Sequence, residues 1–116
     1  MSNTDMLWEM FASGALEKTA PQIAALCDYE SGVNGEGYSG WLYNTENTGG
    51  RAAVQERLQH LQAVLPAHLY QNLERAAAAY ETAQEDEICE AADAYFFAHE
   101  QEVTGILQNF ADTLDL

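Results

Sequence analysis

The sequence predicts an all-α domain: a bundle of five or six helices closed by a long C-terminal amphipathic helix. Three observations carry this. Apolar residues recur at helical spacing through most of the chain, no segment alternates with the period of a strand, and the 116 residues with 47% hydrophobic content suffice for one core without staples. Residues 1–116 are therefore read as a single domain.

Leu7, Met10, Phe11 and Gly14 mark one face of a first helix, with the N-cap expected at Asn3 or Thr4. Pro21 is placed to open a second helix running through Cys27. The Gly-rich stretch at 32–37 should interrupt it, after which "GYSGWLYN" resumes as a short helix with Tyr38, Trp41 and Leu42 on one side, ending near Asn44. "NTENTGG" reads as a loop. From Arg51 a stripe of Val54, Leu58, Leu61 and Leu65 predicts a helix that stops before Pro66, and Pro66 opens another lined by Leu69, Leu73, Ala76 and Tyr80. The connection is short enough to make an antiparallel hairpin.

The last segment is the most regular. Ile88, Ala92, Tyr95, Phe96, His99, Val103, Ile106, Leu107, Phe110 and Leu114 fall within an arc of about 120° at 100° per residue. Residues 85–114 thus form one helix or two nearly collinear ones, with any break near Gly105. The stripe should pack on the hairpin around Pro66.

Charge narrows the function. Nineteen acids against four bases leave a net charge of −15, and ten acids with no base follow Arg75. Such a chain is repelled by nucleic acid and by anionic membrane surfaces, so its expected partner is a basic protein. The acids after Arg75 interleave with Ile88, Tyr95, Phe96, Phe97 and Val103, unlike a disordered acidic tail. Cys27 and Cys89 have no metal or redox spacing and read as buried free thiols. The N-terminus "MSNTDMLWEM" is acidic where an export signal would be basic, which points to the cytoplasm.

Catalytic patterns are missing. His60 projects off its stripe, His99 lies inside one and reads as a core residue, and "HEQEV" lacks the second histidine of a zinc-protease helix because position 103 is Val103. A metal-dependent hydrolase built on Glu30, Asp93 and His99 is the enzymatic alternative, but no spacing supports it. No catalytic residue, cofactor or metal is expected. The informative group is instead the outer face of the last helix, where Asp86, Glu90, Asp93 and Glu100 lie within about 80° of one another with Phe97 among them. An aromatic ringed by carboxylates has the character of an interface anchor with a charged rim.

"ESGVNGEGYSGWLYN", Glu30 to Asn44, resembles the signature of the all-helical bacterial domain family named after a DNA-mimic protein, the nineteen-type. The matching positions are Glu30, Val33, Asn34, Gly35, Gly37, Tyr38, Trp41, Leu42, Tyr43 and Asn44, and a looser similarity extends over about residues 24–113. Glu36 separates glycines that are adjacent in the family, which implies a turn one residue longer or differently closed. The glycines are expected to supply left-handed turn positions, Asn34 to cap the new helix or bond its own turn, and the aromatics to bury their faces, Trp41 above all.

The resemblance implies a protein that presents carboxylates in place of DNA phosphates and occupies a DNA-binding protein's cationic site. Asp86 to Glu100 spans about 21 Å of helix. Duplex DNA offers about twelve charges over that length. Further acids such as Glu36 and Glu46, or a second subunit in a homodimer, must therefore contribute, or the mimicry is of one strand only. An immunity or antitoxin protein against a cationic nuclease toxin is the alternative with the same physics, and a neighbouring toxin gene would separate the two.

Overall fold

Ser2 opens the first helix. Its backbone is extended (φ −82°, ψ 164°), its hydroxyl accepts the Asp5 N–H, and the Asp5 carboxylate accepts the Ser2 N–H in return. This reciprocal cap fixes the N-cap at Ser2, ahead of the expected Asn3 or Thr4, because only Ser2 has an acid three residues on. The computed structural model describes residues 2–114, and all of the regular structure among them is helical. The elements are α1 (Asn3–Ser13), α2 (Ala15–Thr19), α3 (Pro21–Val64), α4 (Ala67–Ala79) and α5 (Glu85–Asp112).

Gly14 ends α1 in the left-handed conformation (φ 84°) and leads into α2, a single turn not foreseen in the sequence that buries Leu16. Pro21 then opens α3 at its first position, as the sequence predicts. This helix is broken by two residues only, Gly37 (φ 74°, ψ 175°) and Gly50 (φ 73°, ψ −170°), so it consists of three helical runs, 21–36, 38–49 and 51–64.

Two expectations are corrected there. The interruption expected over 32–37 shrinks to Gly37, with Gly32 and Gly35 inside the first run. The loop expected at "NTENTGG" shrinks to Gly50, since residues 44–49 stay helical. The composition is poor for a helix, but the Thr45 and Thr48 hydroxyls bond back to the Trp41 and Asn44 carbonyls, each at 2.8 Å, and Leu42 and Thr45 are buried. Tertiary burial outweighs propensity here.

Leu65 leaves α3 in extended geometry (ψ 144°), the conformation imposed on a residue before proline, and Pro66 serves as N-cap of α4. Tyr80, expected on the helix, is its C-cap, and the next residue Glu81 has a left-handed backbone (φ 66°) with its N–H held by the Glu85 carboxylate at 2.7 Å. The last helix, α5, runs unbroken through Gly105, with Glu85, Asp86 and Glu87 in its first turn, where the helix dipole favours anions.

The bundle core lies where α5 packs between α3 and α4. Cys89, Ala92, Phe96, Val103, Leu107 and Ala111 bury the centre of the α5 stripe, while Ile88, Tyr95, Ile106 and Phe110 flank it half-buried. Tyr29 is the aromatic hub, meeting Tyr38, Trp41 and Phe96 edge-on with centroids 5.5 to 5.9 Å apart. The Tyr29 and Tyr38 hydroxyls share a hydrogen bond, and the buried Asn72 amide donates to Tyr38 Oη and to the Ala92 carbonyl, both at 3.1 Å. Among the described residues no buried side-chain polar atom is left without a partner. Cys27 and Cys89 are buried free thiols, as expected, and burial pushes Cys27 up to about 12.

Candidate partner surface

The kink at Gly37 sets the position of the acidic face. Where α3 breaks, the first amide of its next run, Tyr38 N–H, has no helical acceptor; Asp93 of α5 supplies one at 2.8 Å. Asp93 is thus a capping group delivered from another helix, half-buried, and not a free acid of the solvated face as the wheel implied. Glu100 is also engaged: it accepts the Asn34 amide at 2.7 Å, and the same amide reaches Glu30 at 3.3 Å. Asn34 therefore caps no helix. It clamps two carboxyls between α3 and α5.

Glu30 is buried in this clamp, and its carboxyl is pushed above the ordinary carboxylate range, first by desolvation and then by the Glu100 carboxylate beside it. Asn44, about two turns beyond the kink, donates back across it to Glu36. Gly35 supplies no turn, since it lies in regular helix.

What remains exposed on the α5 face is Asp86, Glu90 and Phe97; Glu36, also exposed, lines instead the cleft beside Asp28 and Trp41. Phe97 is 50% exposed and rests edge-on against the buried Phe96 at 5.5 Å. Glu46 lies apart, half-buried in a groove with Arg51, Val54 and Tyr80 at the end of the bundle where α5 begins. Desolvation, and then Glu46, Glu81 and Glu85, raise the Tyr80 hydroxyl there. Tyr43, expected to bury its ring, is 59% exposed, because it falls on the outer side of the run whose inner side carries Tyr38, Trp41 and Leu42.

Cations do little to offset this charge. Among the described residues, the bridge from Arg57 Nε to Asp28 Oδ2 at 3.0 Å is the only one between a Lys or Arg and a carboxylate. Asp28 also accepts the Trp41 indole N–H at 2.9 Å, so this pair serves the core. It lines a cleft of about 480 Å³ floored by Gly32 and Trp41 and edged by Thr45 and Thr48.

A second cluster lies on the α4 side of α5. His68 of α4 meets His99 and Glu102 of α5, with Nε2 of His68 2.8 Å and Nδ1 of His99 3.0 Å from the Glu102 carboxylate oxygens. Tyr95 Oη holds the other His68 nitrogen at 2.7 Å. The two imidazoles hold Glu102 below the usual carboxylate range. His99 is therefore no core residue, and it does not meet Glu30 or Asp93, which lie where α3 packs on α5. Sequence spacing shows only the His99–Glu102 half of this group, since His68 reaches it from another helix.

Compared with protein-family models, curated proteins and solved structures, the chain shows no match to any of the three. No helix among the described residues is long and apolar enough to cross a membrane.

Proposed function

We propose that this is an acidic, non-enzymatic binding protein whose α5 face occupies the cationic site of a nucleic-acid-binding protein, as the family resemblance of Glu30 to Asn44 implies. The observation that carries this reading is the exposed Phe97 among carboxylates that no Lys or Arg neutralises among the described residues. A solvated face needs no aromatic, and an anchor with a charged rim does. The exposed acids Asp86 and Glu90, backed by the hydrogen-bonded Asp93 and Glu100, number fewer than the roughly six phosphates that one DNA strand carries over about 21 Å. A duplex carries twice that. Single-strand mimicry is accordingly the better match in charge density.

The test is capture of partners from a lysate at low salt with the immobilised chain. Basic nucleic-acid-binding proteins should be retained and released by salt or by single-stranded DNA. Recovery indifferent to both overturns the reading.

A further inference from the structure

His68, His99 and Glu102 stand apart from the acidic face, on the side of α5 that packs against α4, and the partner reading gives them no task. Each offers one donor atom, and the three donors lie within 4.8 Å of one another. We propose that they bind a divalent first-row transition-metal ion of the zinc type.

The geometry is close to what such an ion needs. Zinc takes imidazole nitrogen and carboxylate oxygen at about 2.0 to 2.2 Å, which sets donors of a tetrahedral site about 3.3 to 3.5 Å apart. His68 Nε2 lies 2.8 Å from one Glu102 oxygen and His99 Nδ1 3.0 Å from the other, with the three donors within 4.8 Å of one another, so small side-chain adjustments bring them to the spacing of about 3.3 to 3.5 Å around an ion. His99 and Glu102 are i,i+3 neighbours on one face of α5, which fixes two ligands on a rigid element. The third comes from α4, so the ion would cross-link two helices.

Tyr95 supplies the outer support that metal-bound histidines use. Its hydroxyl, 2.7 Å from His68 Nδ1, orients that ring with Nε2 toward the site. All three side chains are 36 to 44% exposed, so an ion has a path in and water can complete its coordination. Two imidazoles with one carboxylate favour Zn²⁺, Co²⁺ or Ni²⁺ and disfavour Mg²⁺ and Ca²⁺, which take oxygen. The plain alternative is a hydrogen-bonded trio in which protons stay between the rings and the carboxylate.

Titration of the metal-free full chain with Zn²⁺ against a competing chelator separates the two. One ion per chain is expected, undisturbed by excess Mg²⁺, and His68→Ala, His99→Ala and Glu102→Gln should each weaken binding by about tenfold or more. His60→Ala is the control and should leave Zn²⁺ affinity unchanged, since the only ion pair of His60 is with Glu56, at 3.8 Å, away from the His68–His99–Glu102 group. With Co²⁺, the wild-type chain should show visible d–d absorption without the near-ultraviolet charge transfer of a thiolate ligand. Equal Zn²⁺ affinity in the wild type and the three variants overturns the proposal, as does thiolate ligation. Should a variant fail to fold by circular dichroism, the wild-type Co²⁺ spectrum decides alone, and no d–d absorption overturns it.

Discussion

The indole of Trp41 lies directly over Gly32. A methyl group at position 32 would fall 2.3 Å from Cδ1 of that ring. Trp41 is 3% exposed, and Asp28, itself bridged to Arg57, holds its N–H, so the ring has no room to slide. Gly32→Ala should therefore destabilise the chain, because overpacking of about 1 to 3 kcal/mol exceeds the helix-propensity gain of up to about 1 kcal/mol. Gly35→Ala, three residues on in the same helix, should stabilise it by about 0.4 to 1 kcal/mol, since nothing lies within 4 Å of the added methyl. Urea denaturation of both variants gives the two signs.

Trp41→Ala should cost about 3 to 5 kcal/mol, the range for emptying a large aromatic from a core. Tyr43→Ala, two residues away and on the exposed side, should stay within about 0.5 kcal/mol of the wild type. Chemical denaturation midpoints check both, and equal losses would contradict the burial of one ring and the exposure of the other.

At the kink, Gly37 and Asp93 depend on each other. Removing the cap by Asp93→Ala leaves the Tyr38 N–H without its acceptor and should lower stability by about 1 to 2 kcal/mol. Gly37→Ala should be worse, because φ 74° with ψ 175° is a glycine-only region and the new methyl would sit 2.7 Å from the Asp93 carboxylate. Hydrogen exchange at the Tyr38 amide should accelerate in both variants.

Stability should also respond to pH through Glu30. Its folded-state pKa is raised above 4.5 by burial and by Glu100, so over that window the folded chain keeps a proton that the unfolded chain has lost. The group's stabilising contribution is present below the window and disappears as pH rises through it. Mild acidification from neutrality should therefore raise the melting temperature, helped by relief of the net charge of −15. Glu30→Gln should flatten the profile across that window, and a profile unchanged by the substitution would remove Glu30 as its source.

On the outer face, charge and anchor should separate kinetically. Asp86→Asn with Glu90→Gln should slow association with the captured partner and flatten its salt dependence, because exposed charges act over a Debye length of about 8 Å at physiological salt. Phe97→Ala should speed dissociation, losing on the order of 2 kcal/mol of binding. Surface plasmon resonance at two salt concentrations resolves the two effects. All three positions are exposed, so melting temperatures should not fall. Asp93 does not belong in this set, because its loss would uncap α3.

Local pattern determined much of this protein from the sequence alone: an all-helical chain, a long amphipathic stripe over 85–114, the break at Pro66, a buried Trp41 and an exposed Phe97, while the structure decided that α5 runs unbroken through Gly105. Apart from the Pro66 break, which proline's backbone restriction sets, each of these patterns depends on which side of a helix a residue faces, and spacing along the chain encodes that. The tertiary structure alone decided that Gly37 and Gly50 break α3 while Gly32 and Gly35 do not. Gly32 is needed for a ring nine positions on, which propensity cannot register. It also turned Asp93 from a surface acid into a cap, Asn34 from a cap into a clamp on Glu30 and Glu100, and His99 from a core residue into the neighbour of His68 and Glu102. Those roles depend on which helix packs against which, and residues brought together from separate helices leave no periodic mark on either one.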